Sequence, residues 1–337
     1  MSAGLSIRRA VFATLALCAA AFVTSFPPPA RAAVTPLDAV ERLYRAGRYD
    51  QAIEELQAAV GKNPRDGSLH YWLGRCFFEL RDFARAVVSL EKATTIEPAN
   101  AEYHHWLGRA CGRKAEESNP FSALGLARRT HREFETAVRL DPSNLAAQRD
   151  LIRYLLFAPG IVGGGEEHAL EQMAALALVD SVEADLARAE YFATRKRFDQ
   201  ANEQYQKILH ATPPNAGVCL EIAEYYRDHE DAANMQAAVD IAAKVAPSDQ
   251  RLEYYRGVAL ILANRDGAQA EKYLRTYLAT VPPSSESASH ASAREWLGKL
   301  YENQGRLDAA ATEYQAAILL DPRNKVLRED LKRVQHK

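Results

Sequence analysis

Residues 70–77 read HYWLGRCF, and residues 104–111 read HHWLGRAC. Two nearly identical phrases 34 residues apart predict a stacked repeat architecture, because a fixed period of this length marks units that bury their apolar faces against their neighbours. The period continues along the chain. A small-residue position recurs at Ala52, Ala86, Thr130, Ala169, Ala201, Met235, Ala270 and Ala310. A larger apolar side chain follows four residues later, at Leu56, Leu90, Phe134, Met173, Tyr205, Val239, Leu274 and Tyr314. A spacing of four puts both on one helical face.

Proline closes most units, at Pro64, Pro98, Pro142, Pro213, Pro247, Pro282 and Pro322. It lacks a donor N–H and turns the preceding residue away from helix. The first helix of a unit carries its own mark, a small residue after an apolar one, at Leu73-Gly74, Leu107-Gly108, Ile222-Ala223 and Leu297-Gly298. There the partner backbone can approach. Short turns such as AGRYD (46–50) and QGRLD (304–308) separate the two helices.

WLGRCFFELRDFARAVVSLEKATTIEP (72–98) and WLGKLYENQGRLDAAATEYQAAILLDP (296–322) resemble tetratricopeptide repeats. The resemblance spans about residues 36–322 as eight units, of which units three, four and seven depart from the pattern. It implies an all-α, right-handed solenoid with a concave groove. It also implies protein or peptide binding, and rarely catalysis. The expected domains are a signal peptide (1–32), the solenoid (33–323) and a C-terminal capping helix (324–337), since the open end of a solenoid needs a polar cover.

The chain has 337 residues, 47% hydrophobic and 26% charged, with a formal charge of −2. No global basic field points to nucleic acid. Arg8 and Arg9, the uncharged run AVFATLALCAAAFVTSF (10–26) and Ala30-Arg31-Ala32 read as a secretory leader cleaved after Ala32. The expected location is therefore the periplasm, as in exported bacterial repeat proteins, with membrane attachment only if the leader stays uncleaved. Cys76, Cys111 and Cys219 are expected as buried free thiols. Neighbouring helices lie about 8–10 Å apart at their axes, whereas a disulfide wants Cα atoms within about 7 Å.

Two insertions interrupt the period, GRKAEESNPFSALGLARRTHRE (112–133) and APGIVGGGEE (158–167). Both read as long loops joining the two helices of their units, set to touch along one edge and to cover Phe121, Leu124, Ile161 and Val162; a second binding edge is the other reading. The glycines 163–165 lack the Lys-Ser/Thr of a phosphate loop. His70, His104 and His105 lack the companions of a zinc site, and no cofactor is expected. No nucleophile elbow, paired-His helix or Walker sequence appears, so the expectation is a protein without catalysis.

Projecting the exposed phase of the first helices gives a candidate groove of Tyr71 and Arg75 in unit two, His105, Arg109 and Arg113 in unit three, and Arg149 and Arg153 in unit four. Units five and six add Glu190, Glu221 and Glu224. A groove that is basic and aromatic early and acidic late suits a partner with an acidic segment or a C-terminal carboxylate. The plainer reading is a set of charges that holds neighbouring helices in register. A rival function is an accessory subunit of a polysaccharide synthesis or export machine, for which Tyr254, Tyr255 and Trp296 would be the sugar-facing rings.

Overall fold

The computed structural model describes residues 36–211, 215–285 and 287–336. The leader and its cleavage point lie outside the described residues. Within them the chain is helical and contains no strand. Eight pairs follow one another: α1 (Pro36–Arg45) with α2 (Tyr49–Lys62), α3 (Gly67–Glu79) with α4 (Phe83–Ile96), α5 (Ala101–Glu116) with α6 (Pro120–Leu140), α7 (Leu145–Phe157) with α8 (Glu166–Ala177), α9 (Ser181–Thr194) with α10 (Phe198–Ala211), α11 (Ala216–Asp228) with α12 (Ala232–Val245), α13 (Leu252–Leu262) with α14 (Gly267–Thr280), and α15 (His290–Asn303) with α16 (Leu307–Leu320). A last helix, α17 (Lys325–Gln335), packs on α16. Sequence neighbours pack on one another throughout, and the first helices of adjacent pairs also touch, as α1 does α3 and α3 does α5. No described helix is long and apolar enough to cross a membrane.

The periodic positions are the core. All eight small-position residues and all eight larger residues four places on are buried, and all lie on even-numbered helices. The glycine mark of the odd-numbered helices faces them. A Cβ on Gly108 would lie 2.6 Å from the Phe134 ring, one on Gly298 2.5 Å from the Tyr314 ring, and one on Gly74 would collide with Leu90. The two marks read separately in the sequence are thus the two sides of one close helix crossing.

Each connection repeats as well. Within pairs, Gly47, Arg81, Lys196, Glu230, Asn264 and Gly305 take the left-handed conformation, with φ between 50° and 73°. Between pairs, Asp66, Asn100, Asn144, Asn215 and Asn324 each stand two residues after a proline, and each side chain accepts a backbone N–H of the next helix. Proline stops one helix and the Asn or Asp starts the next. His70 and His104 belong to this device: the Nε2–H of each donates to the carbonyl of the proline six residues back, at 3.0 Å to Pro64 and 3.1 Å to Pro98. Gln148 donates to Pro142 in the same way.

The insertion at 112–133 is not a loop. Its residues lengthen α5 and α6 to 16 and 21 residues, leaving a turn at 117–119 capped by Asn119. Helix extension satisfies the backbone internally, which a 22-residue loop on the surface would not. The segment at 158–167 is a true connection, with a 3₁₀ turn over Gly160–Val162 and a left-handed Gly163. The two insertions do meet: the Tyr154 hydroxyl lies 2.8 Å from the carbonyls of both Ala127 and Val162, and His131 stacks on the Tyr154 ring. The mutual cover is partial. Val162 is buried, but Phe121 remains 93% exposed and Ile161 69%.

The three cysteines are buried and unbridged. Burial pushes the Cys76 and Cys111 thiols up to about 12, which removes the thiolate needed for chemistry.

The stack also returns to its own beginning. The Tyr49 hydroxyl donates to the Pro283 carbonyl at 2.6 Å. The Ser285 N–H and hydroxyl both donate to the Glu79 carboxylate at 2.7 Å. Arg323 donates to Glu117 at 2.6 Å. Units one and two therefore meet the connection between units seven and eight, and unit three meets the turn after unit eight.

Candidate peptide groove

Five successive first helices, α5, α7, α9, α11 and α13, line one cleft of about 490 Å³. It contains His105, Arg109, Arg149 and Arg153 of the predicted set, together with Asp150, Glu183, Glu221, Glu224 and Tyr255. The predicted residues do not form one surface. Arg113 faces away from this cleft and shares a second cavity with Arg109, where units two and three meet the 283–291 segment. Tyr71 and Arg75 line neither.

Tyr71 is buried, contrary to its projected exposure. Its ring stacks on Tyr103 of the next unit at 4.9 Å, and its hydroxyl donates to Glu102. Arg75 is boxed by the rings of Tyr44, Tyr71, Trp72 and Trp106, at 4.3–5.7 Å from their centroids. Its guanidinium donates to the Tyr44 and Tyr71 hydroxyls. These two residues hold units one to three together.

His105, also projected as exposed, is 3% exposed. Its Nε2 lies 2.8 Å from Asp150 on α7, and Glu102 lies 3.9 Å from its other ring nitrogen. Burial works against an imidazolium here, yet the two carboxylates outweigh it and hold the His105 pKa above its ordinary value. In turn His105, Trp106 and Tyr71 hold Glu102 down to about 2 against its own burial. Asp150 is held low by His105, Arg109 and Arg153, again against burial. The two carboxylates thus favour the charged form of His105 inside the joint between units three and four.

The basic and acidic halves of the predicted groove pair with each other. Arg149 reaches Glu183 at 3.3 Å and grips both oxygens of Glu221. Arg153 donates to both oxygens of Glu190, at 2.8 and 3.3 Å. These pairs span units four to six, and they are the register-holding charges of the plainer reading. Arg109 differs. Its guanidinium carbon lies 4.2 Å from the centre of the Trp106 ring, its nearest carboxylate is Asp150 at 3.8 Å, and it makes no hydrogen bond to any described residue. A quarter of its side chain is exposed, and it lines both this cleft and the second cavity.

The sequence reading missed Asp150. It lies one residue from Arg149 and three from Arg153, and that spacing could have placed it on their face. Two of the three proposed sugar-facing rings are withdrawn from the surface: Tyr254 and Tyr255 are buried, and the Tyr255 hydroxyl is committed to Glu224 at 2.6 Å, whereas Trp296 is half-buried with Lys299 over its ring.

Residues 37–102 and 262–325 match the family model of the tetratricopeptide repeat. No curated protein matches the chain. Among solved structures, a monomeric mutant of IFIT1 with Gppp-AAAA is 18% identical, aligns with 90% of this chain and 74% of its own, and has a TM-score of 0.52. A tetratricopeptide repeat protein from Parabacteroides merdae is 18% identical over 85% of this chain and 99% of its own, with a TM-score of 0.48. A thermophilic TPR protein of Thermus thermophilus is 21% identical over 56% of this chain and 96% of its own, with a TM-score of 0.46. At these identities the IFIT1 likeness shows a shared helical-repeat fold and nothing finer.

Proposed function

We propose that this chain, which carries tetratricopeptide repeats, is an exported scaffold that binds a protein or peptide in the cell envelope and performs no chemistry on it. The observation that carries this reading is the cleft along five successive first helices, with Arg109 as a quarter-exposed cation whose one carboxylate neighbour, Asp150, stands at 3.8 Å, beyond hydrogen-bond distance. A guanidinium held over an indole by a cation–π contact has its fork partly positioned for bidentate pairing with a carboxylate. The partner feature is accordingly an acidic segment or a terminal carboxylate. Export rests on the leader-like composition of residues 1–32.

The test is capture. Residues 33–337, immobilised and exposed to envelope extract, should retain a defined protein that elutes with salt, and the Arg109→Glu chain should not retain it. Retention of nothing, or equal retention by both chains, contradicts the reading.

A further inference from the structure

The end-to-end contact has the form of a bound peptide. Pro282 and Pro283 bring fixed backbone torsions over Gly47, whose missing side chain leaves room for them: a Cβ there would lie 3.0 Å from Pro282 and 3.5 Å from Pro283. The groups that then hold the segment are a main-chain carbonyl on Tyr49, and a main-chain N–H with a serine hydroxyl on Glu79. Any extended Pro-Ser-Ser stretch can present these. The receptor side is built in advance. The Tyr44 hydroxyl donates to Glu79 at 2.7 Å, and Arg75, fixed among its four rings, donates to Tyr44.

Beside the segment lies a cavity of about 520 Å³ with a floor of Phe78 and Phe83 and the cations Arg109 and Arg113. The described residues do not fill it. An external peptide with an apolar side chain and a carboxylate past its serines would set them against Phe78 and Phe83 and against Arg109 and Arg113.

We propose that Tyr49 and Glu79 form a second peptide site, occupied in this chain by Pro283–Ser285 as a stand-in for an external Pro-Ser peptide that carries an apolar residue and a carboxylate. The proposal rests on the peptide-binding reading above. Its consequence is competition: an intrachain segment acts at a high effective concentration, so it keeps the site shut to weak ligands, and a better-fitting peptide displaces it and frees units one and two from the connection between units seven and eight.

The probe is a fluorescent peptide PPSSESAS, the sequence of residues 282–289, titrated against three forms of residues 33–337. A chain with residues 282–288 replaced by glycines should bind it one to one. The wild-type chain should bind at least about tenfold more weakly because its site is occupied. The glycine chain with Glu79→Ala should not bind. A helical glycine chain that ignores the peptide, or that binds it equally with and without Glu79→Ala, overturns the proposal.

A readout in the wild-type background keeps the test decisive if the glycine chain does not fold. Glu79→Ala should speed amide exchange across residues 282–289, and unchanged exchange there overturns the proposal. Should the envelope partner bind the wild-type chain while the peptide binds none of the forms, the scaffold reading stands and the stand-in does not.

Discussion

A missing side chain means opposite things at Gly108 and Gly125. At Gly108 the Phe134 ring occupies the space a side chain would need, whereas nothing lies within 4 Å of a Cβ on Gly125. Gly108→Leu should therefore lower stability by about 1–3 kcal/mol through overpacking. Gly125→Ala, in the interior of α6, should raise it by up to about 1 kcal/mol through helix propensity. Denaturant melts of the two variants check both signs. The left-handed turn residues give a second case. Lys196 holds φ 58°, a conformation that costs an L-residue about 1–2 kcal/mol, so Lys196→Gly should stabilise by about 0.5–1 kcal/mol after the entropy of glycine is subtracted. A melt unchanged or lowered would mean that the lysine side chain contributes more than its backbone strain.

Residues of this kind were legible in the sequence because every unit repeats the same crossing. Ala86, Leu90 and Gly74 announce each other by spacing alone. Tyr71 and His105 were not legible as buried, because what covers them, Tyr103 and Asp150, comes from the following unit. The helical phase of one helix cannot report what the next one lays over it.

Among the elements, the joint between α5 and α7 turns on His105. Its pKa is raised in the fold, so the stability it contributes is fully present below its unfolded value near 6.5 and is lost as pH rises through the folded value. Glu102 is depressed, so its contribution is present above about 4.5 and lost as pH falls toward about 2. Stability should thus decline as pH rises above about 6.5, and His105→Asn should flatten part of that decline. His104 moves the same way through Glu133 and the Pro98 carbonyl, so some slope should remain. Identical slopes for the variant and the wild type would remove His105 from the joint.

The edge built by α6 and the 158–165 connection gives another contrast. Phe121→Ser, at a position 93% exposed, should leave stability within about 0.5 kcal/mol. Val162→Ala, at a buried position, should cost about 1 kcal/mol or more. The pair measures how far the two insertions support each other. That 112–133 would be helix was not read from its sequence, since Asn119-Pro120 marks a break. The same dipeptide is also a helix start, with Asn as cap and Pro in the first turn.

At the scale of the molecule, the stack is a sum of neighbour contacts with one addition, the contact of its two ends. That contact joins residues 206 and 234 positions apart and follows no period, so nothing in the repeat pattern announced it. The C-terminal helix was legible, because a solenoid end needs a polar outer face over an apolar inner one. In α17, Leu327 and Val334 are buried while Arg333 reaches back to Glu302 at 2.8 Å.

The functional claim also lives at this scale, since the cleft exists only where five units line up. Its central element is Arg109, and the most direct measurement is calorimetric titration of the captured partner against wild-type chain and Arg109→Glu, at low and high salt. The account predicts an affinity that falls with salt and at least about a tenfold loss on Arg109→Glu, the worth of one desolvated charge-assisted contact, with both chains still helical at the temperature of the titration. Equal affinities for the two chains, independent of salt, would contradict it.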